Sequence, residues 1–304
     1  MKGIVIAGPT GVGKTELSLK IAKLLQGDII SADSAQVYKG MDIGTAKITE
    51  KEKQGIKHYM IDIVEPIEKY SVGDYQKEVD TILKEKEKEN KNVVLTGGTG
   101  LYIKSITEGL ADLPKADKKL REEMKKYSDL EILEKLELLD KEAANNIHEN
   151  NRKRVERALE VCILTGKKFS EISKKNVKNN NYKFLKLYLT RDRKKLYDRI
   201  NKRVDIMMEQ GLLEEVKSLY DKYGGETLKK INIIGYNELI DFLENKITLE
   251  EAVEAIKKNS RRYAKRQITW FKKDEEYISL DVEKMSEDEI ISKIQKLYSS
   301  KLGE

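Results

Sequence analysis

The residues Gly8-Pro9-Thr10-Gly11-Val12-Gly13-Lys14-Thr15 constrain this chain more than any others. They fit G-x-x-x-x-G-K-S/T, a loop that wraps a phosphate in backbone N–H groups. The flanks suit that role. Ile4-Val5-Ile6-Ala7 reads as a short buried strand, and Leu17, Ile21, Leu24 and Leu25 recur at helical spacing behind the loop. Glycines let the backbone close around an anion, and the following helix N-terminus adds partial positive charge. Lys14 can reach phosphate oxygens, and the Thr15 hydroxyl can bind Mg²⁺. The loop predicts a bound phosphate or diphosphate. It does not say which, or what happens to it.

The surrounding pattern predicts the fold class. Strand and helix alternate over the first ~110 residues, which argues for a parallel α/β sheet of the P-loop NTPase kind. Asp28–Ala32 and Val93–Thr96 read as strands, and Tyr75–Glu89 as a helix with a solvated charged tail, Lys84-Glu85-Lys86-Glu87-Lys88-Glu89. After Pro114 the periodicity is helical to about Gly166, and 167–181 reads as a polar connection. Phe184–Leu189 restores a strand. Long helices then run from Lys194 to Tyr220 with a break at Gly211. Tyr277–Leu280 is a last strand, and Ser286-x-x-Glu289 a capping box for a last helix. The expected organisation is an α/β core of 1–113 and 182–304 with a helical insertion domain at 114–181.

Composition narrows the setting. Charged residues form 37% of the 304, and no apolar run approaches the ~20 residues of a membrane span. Met1-Lys2 leads directly into the first strand, so no signal peptide is expected. Cys162 is the single cysteine and reads as a small buried hydrophobe, in keeping with a cytoplasmic protein. With His58 and His148 the only histidines, a zinc cluster of the usual kind is excluded. Basic charge is concentrated. Residues 151–186 hold eleven Lys/Arg against three Glu, and residues 254–273 eight against one. In the second stretch Tyr263, Trp270 and Phe271 alternate with Arg261, Arg262, Lys265 and Arg266. Cations interleaved with aromatics suit single-stranded RNA, although a solvated helix with core aromatics shares that pattern.

Three further features bear on chemistry. Asp33 follows the second strand, so it belongs at the sheet edge that carries the P-loop. It can hold a metal-bound water, act as general base, or cap the next turn. The strand Val93–Leu95 ends in Thr96-Gly97-Gly98-Thr99 rather than the acid a P-loop ATPase places there, which weakens a motor-ATPase reading. Arg191, Arg193, Arg199 and Arg203 follow the strand ending at Leu189, and any of them brought to the loop could neutralise a leaving phosphate.

These residues join a longer series: Ser31-Ala32-Asp33-Ser34-Ala35-Gln36 and on to Gly44-Thr45-Ala46-Lys47, then Gly97-Gly98-Thr99-Gly100-Leu101-Tyr102, Arg157-Ala158-Leu159-Glu160, Ile234-Gly235-Tyr236, and Arg262 through Phe271. In order and over nearly the whole chain, the series resembles the bacterial tRNA dimethylallyltransferases, also called tRNA isopentenyltransferases. The resemblance implies transfer of a dimethylallyl group from dimethylallyl diphosphate to the exocyclic amine of the adenine just 3′ of the anticodon. It implies that Gly8 to Thr15 hold the diphosphate with Mg²⁺ as cofactor, with Thr15 and Asp33 on the metal side. Asp33, Thr99 and Arg203 match catalytic positions, Asp33 as the base. Asp33, Ser34, Ala35, Gln36, Thr99, Arg121 and the stretch Lys153, Arg154, Val155, Glu156, Arg157 match positions that contact the tRNA anticodon stem-loop. A cytoplasmic monomer with no membrane contact is expected.

The chain departs from the family pattern in places. His148-Glu149-Asn150-Asn151 lacks the usual Pro and Asp, and Asn232 and Asn237 stand where arginines often flank the Gly235-Tyr236 stretch. The C-terminal zinc finger of eukaryotic relatives is not expected here. A small-molecule kinase using ATP fits the P-loop and Asp33 equally well, but leaves the basic, aromatic stretch of 261–271 unexplained. A non-catalytic RNA-binding adaptor leaves the intact Lys14-Thr15 and Asp33 unexplained.

Overall fold

A computed structural model describes residues 2–174 and 182–302. In chain order its elements are β1 (Lys2–Ala7), α1 (Lys14–Leu24), β2 (Asp28–Ala32), α2 (Glu50–Lys53), β3 (His58–Tyr59), α3 (Val72–Lys88), β4 (Val93–Gly97) and α4 (Gly100–Thr107). Then come α5 (Lys118–Met124), α6 (Asp129–Leu139), α7 (Lys141–Asn146), α8 (Arg152–Thr165) and α9 (Phe169–Ser173). The remainder is β5 (Lys183–Thr190), α10 (Arg193–Glu209), α11 (Leu212–Tyr223), α12 (Gly225–Ile231), α13 (Tyr236–Leu243), α14 (Leu249–Phe271), β6 (Ile278–Asp281) and α15 (Glu287–Leu302).

The chain divides into two units, one of Met1–Thr107 with Asn180–Glu304 and one of Glu108–Asn179. In the first, six parallel strands form a sheet of order β3-β2-β4-β1-β5-β6. Strand residues alternate between two cores. Val5, Ala7, Ile30 and Leu95 face one, with Tyr75, Val79 and Leu83 of α3. Ile4, Ile6, Ile29 and Val94 face the other, with Leu17 and Ile21 of α1 and Leu196 and Ile200 of α10. Burial on both faces is why these strands read as continuous apolar runs. It also places the P-loop at the carboxyl end of β1, flanked by β4 and β5.

The second unit is helical among its described residues. Ile132, Leu136, Val155, Leu159 and Cys162 form its core. Its break from the first unit lies at Glu108, where the sequence places it at 114.

Two local expectations are corrected. The charged tail of α3 is not wholly solvated. Lys86 is 4% exposed and pairs with Asp28 at 3.2 Å, because the tail passes the start of β2. The polar segment after Gly166 is not all loop. Phe169–Ser173 is helical, with Ser170 donating its N–H to the buried Asp140 at 2.7 Å. A tertiary hydrogen bond stabilises a turn that local sequence does not favour. The remainder of that connection, 175–181, lies outside the described residues. The Ser286–Glu289 box forms, with Ser286 N–H donating to Glu289 at 2.7 Å. So does an unforeseen one at Ser71–Asp74, which starts α3 at Val72. Among the described residues, no helix is long and apolar enough to cross a membrane.

Candidate active site

The P-loop closes through glycines whose backbone other residues adopt poorly: φ is +78° at Gly11 and +111° at Gly13. Lys14 Nζ donates to the carbonyls of Gly8 and Pro9, both at 2.9 Å. Burial pushes the Lys14 ammonium down to about 8, against the pull of Asp33 and with a small push from Arg203. An anion in the cradle favours the charged form and reverses that shift. Two of the four candidate arginines reach the loop. Arg199 Nε donates to Gly11 O at 3.0 Å, and Arg203, one turn on along α10, lies 3.4 Å from the Thr10 hydroxyl. The other two are engaged elsewhere. Arg191 pairs with Glu283 at 3.1 Å, and Arg193 donates to the Tyr197 hydroxyl.

Asp33 lies just past β2, beside the end of β4. Its Oδ1 accepts from Ala35 N–H at 2.9 Å. Among the described residues, Oδ2 makes no hydrogen bond to the protein. Both the capping geometry and a spare oxygen are thus present. Thr99 braces this turn. Its N–H donates to Ala32 O at 3.1 Å, and its hydroxyl accepts from Ser34 N–H at 3.0 Å. Gln36 takes a hydrogen bond from Ser31 at 3.0 Å and reaches the Thr45 carbonyl at 3.3 Å.

The glycines after β4 are explained by the protein's own atoms. A Cβ at Gly97 would lie 2.1 Å from Ala32 O, one at Gly98 2.1 Å from Gln267 Nε2, and one at Gly100 2.1 Å from Trp270 Nε1. At these glycines β2 and α14 approach the backbone too closely for a side chain. Sequence reasoning missed two residues that shape the site. Glu215 accepts from the N–H groups of Asp42, Ile43 and Gly44 at 3.0, 2.7 and 3.1 Å, and from the Tyr236 hydroxyl at 2.6 Å. It ties down the loop that ends in Thr45. Gln267, 5% exposed, accepts from Thr10 N–H at 2.9 Å and donates to Gly98 O at 3.0 Å. The one available signal was a polar residue on the buried stripe of an otherwise basic helix.

Two cavities meet at this turn. One, of about 560 Å³, is lined by Gly11, Gly13, Lys14 and Thr15 and walled by Ile29, Ala46, Ile48 and Ile61. The other, of about 710 Å³, is lined by Ser34, Ala35, Met207, Ile233, Gly235 and Arg266. Thr10, Asp33, Thr45, Arg203 and Tyr263 line both. Burial, and next the Asp33 carboxylate, push the Tyr263 hydroxyl up to about 12, so it stays protonated. Asn232 and Asn237 also line the second cavity and bond each other at 2.9 Å.

A magnesium ion suits the first cavity. The exposed Thr15 hydroxyl and the Asp33 carboxylate are hard oxygen donors on its wall. Among the described residues, no cluster of three or more His, Cys, Asp or Glu forms a protein cage. Mg²⁺ commonly takes one or two protein oxygens and completes its shell with substrate phosphate and water.

In the second unit, Arg121 and Arg157 converge on Glu160, which is 0% exposed. Arg121 grips it through Nε and Nη2, both at 2.8 Å. Arg157 bonds it at 2.5 Å and Pro114 O at 2.7 Å. Burial opposes ionisation of Glu160, yet Arg121 and then Arg157 hold it below the usual carboxylate range. Arg121 remains 47% exposed. Lys153 and Arg154 are exposed on the first turn of α8. Glu156 pairs with Arg152 at 2.7 Å. Val155 is buried in the unit's core, so its side chain is unavailable to any ligand.

Comparison with known proteins bears on what acts here. The IPP transferase family model matches residues 36–274. A tRNA dimethylallyltransferase of Fusobacterium nucleatum is 58% identical over 300 residues, covering 99% of this chain and 98% of that protein. The crystal structure of a tRNA delta(2)-isopentenylpyrophosphate transferase from Staphylococcus epidermidis aligns with a TM-score of 0.72 at 40% identity, covering 99% of each chain. A eukaryotic dimethylallyltransferase captured acting on tRNA aligns with a TM-score of 0.85 at 30% identity, over 99% of this chain and 80% of that one. With a family match over most of its length and such identity end to end, the chain belongs to the IPP transferase family of tRNA dimethylallyltransferases.

Proposed function

We propose that the chain transfers a dimethylallyl group from dimethylallyl diphosphate to the exocyclic amine of the adenine 3′ of the anticodon in tRNA, releasing diphosphate. The observation that carries this reading is Asp33 on the shared wall of an anion cradle and a second cavity. The diphosphate sits against the N–H groups of Gly11 to Thr15, with Lys14 and Arg203 on its oxygens. The five-carbon tail lies along Ile29, Ala46, Ile48 and Ile61. The target adenine leaves its stack and enters the second cavity.

The amine nitrogen attacks C1 of the allyl group. The C1–O bond breaks, and its electron pair leaves on the diphosphate. Asp33 Oδ2 takes the proton from the amine, while Thr99 holds the Ser34 turn that aims it. Lys14 and Arg203 offset the charge that grows on the leaving group, the interaction that counts most in the transition state. Thr15 and Asp33 would hold Mg²⁺ on the cradle wall, and the ion would supply further neutralisation of the leaving group's charge.

Arg121, Lys153, Arg154 and Arg157 contact the anticodon stem-loop in this reading, and Ser34 to Gln36 lie along the entering nucleotide. A tRNA acceptor supports a cytoplasmic setting. Incubation of unmodified tRNA with labelled dimethylallyl diphosphate, and separately with labelled ATP, tests the reading. Label should enter tRNA from the first alone. ATP consumption with no labelled tRNA would instead support a kinase.

A further inference from the structure

Helix α14 has two faces at its C-terminal end. Arg262, Lys265 and Arg266 are exposed. Tyr263, Gln267 and Trp270 follow one another at i, i+4 and i+7 on the side turned to the glycine turn after β4. Gln267 is spent entirely on the protein. Its oxygen holds Thr10 N–H at 2.9 Å, and its nitrogen holds Gly98 O at 3.0 Å. Thr10 N–H is a P-loop amide, and its neighbouring hydroxyl is the group that Arg203 approaches at 3.4 Å. On its other side Gln267 meets Tyr263, which also meets Thr99. The Arg266 guanidinium lies over the Tyr263 ring, 5.5 Å from its centroid. An unbroken line of contacts therefore runs from an exposed cation through Tyr263 and Gln267 to Thr10 and Arg203.

We propose that Gln267 is a positioning residue through which RNA bound on α14 tightens the diphosphate cradle. The proposal rests on the reading of the site as a tRNA alkyl transferase, in which Arg266 and Tyr263 border the RNA side and Thr10 and Arg203 the diphosphate side. The physical reason is the buried amide. If Gln267 shifts, the half-buried Thr10 N–H loses its acceptor, and the loop relaxes to find another. RNA that immobilises α14 removes that freedom before the diphosphate arrives, so the second ligand orders less on binding. By linkage, diphosphate must strengthen RNA binding by the same factor.

The test is calorimetric titration of inorganic diphosphate with Mg²⁺ into the full chain, alone and saturated with an unmodified anticodon stem-loop. In the wild type the stem-loop should tighten diphosphate binding by about fivefold or more, the lower end of ordinary coupling. Gln267→Met keeps the length of the side chain and removes both hydrogen bonds. It should weaken diphosphate binding by about tenfold and erase the gain from the stem-loop, while leaving stem-loop affinity measured alone unchanged. A merely structural role would lower the fraction of competent protein and leave that gain intact. The proposal is overturned by wild-type diphosphate affinity that ignores the stem-loop, or by a Gln267→Met protein that retains the full gain. Should that variant fail to fold, the smaller Gln267→Leu, which also removes both hydrogen bonds, carries the same expectations, and full gain in it would overturn the proposal. Transfer of label from dimethylallyl diphosphate, measured separately, reports on the functional reading itself, since the titration needs no turnover.

Discussion

The P-loop turn and the Glu160 cluster both gather cations, and they do so in opposite ways. At the P-loop, Lys14 and Arg199 bond to backbone carbonyls and Arg203 lies near a hydroxyl. Among the described residues, none of the three forms an ion pair with an acid. Their charge is available to an anion, and burial makes an anion welcome. At Glu160, two guanidinium groups close on one buried carboxylate. The charge there is largely offset within the protein, where it holds α5 to α8, so in the proposed reading Arg121 and Arg157 meet the stem-loop as a paired cluster and not as free cations. A basic count therefore does not locate a binding site. What matters is whether the fold has supplied the counter-charge.

The largest loss is expected when the acid with a spare oxygen in the first region is removed. Asp33→Ala should slow single-turnover transfer by about 10²–10⁴-fold, the usual worth of a general base, and barely change tRNA affinity. A rate close to wild type would remove Asp33 from the chemistry.

Lys14→Ala comes next. Donor affinity and transfer should fall together, the rate by about 10²-fold, because one cation serves both ground state and leaving group. The wild type should also bind diphosphate more weakly as pH rises through about 8, where the free Lys14 ammonium titrates. The sign follows from binding an anion to the protonated form. Lys14→Ala should abolish that step, and a pH-independent wild type would show that Lys14 does not carry the charge.

For the second region the expected loss is stability. Arg121→Ala leaves Glu160 with Arg157 and the Asp117 N–H. Breaking a fully buried pair costs about 3–5 kcal/mol, and the exposure of Arg121 brings the expectation to about 1–3 kcal/mol. Glu160 is held below its ordinary range. Its stabilisation is therefore complete above a pH of about 4.5 and is lost as pH falls through the lower folded value. Denaturant titrations across that range should show the loss in the wild type and a flatter profile in Glu160→Gln. Matching profiles would mean the cluster is not a structural ion pair.

The smallest effects belong to cations that neither region has neutralised. Lys153→Ala and Arg154→Ala should each lower the slope of log tRNA affinity against log salt by about one, with no change in donor binding. Unaltered slopes would take the first turn of α8 out of the RNA contact.

Much of the first region was legible because its signals are short-range. Gly8 to Thr15 must be a loop between strand and helix, since Gly11 and Gly13 carry backbone angles that need glycine and Lys14 opens the helix. Asp33 could be placed because every strand of a parallel sheet ends at the same edge. Glu215 and Gln267 could not be placed. Each is a polar side chain within a helix, and its partners lie far away in sequence, at Asp42–Gly44 and at Thr10 and Gly98. The short helix Phe169–Ser173 was illegible for the same reason, as it depends on Asp140 across the unit.

The strand–loop–helix unit and the alternation that requires a parallel sheet were fixed by local backbone preference and periodic burial, which neighbouring residues specify. The family was legible through motifs that resemble those of known relatives, and the comparisons bear it out. Only the tertiary structure decided which cations are free. Arg199 and Arg203 differ little in local sequence from Arg191 and Arg193, yet one pair meets the P-loop and the other meets Glu283 and Tyr197. A charge is assigned its partner by packing, because the energy of an ion depends on the few ångströms around it and not on its place along the chain.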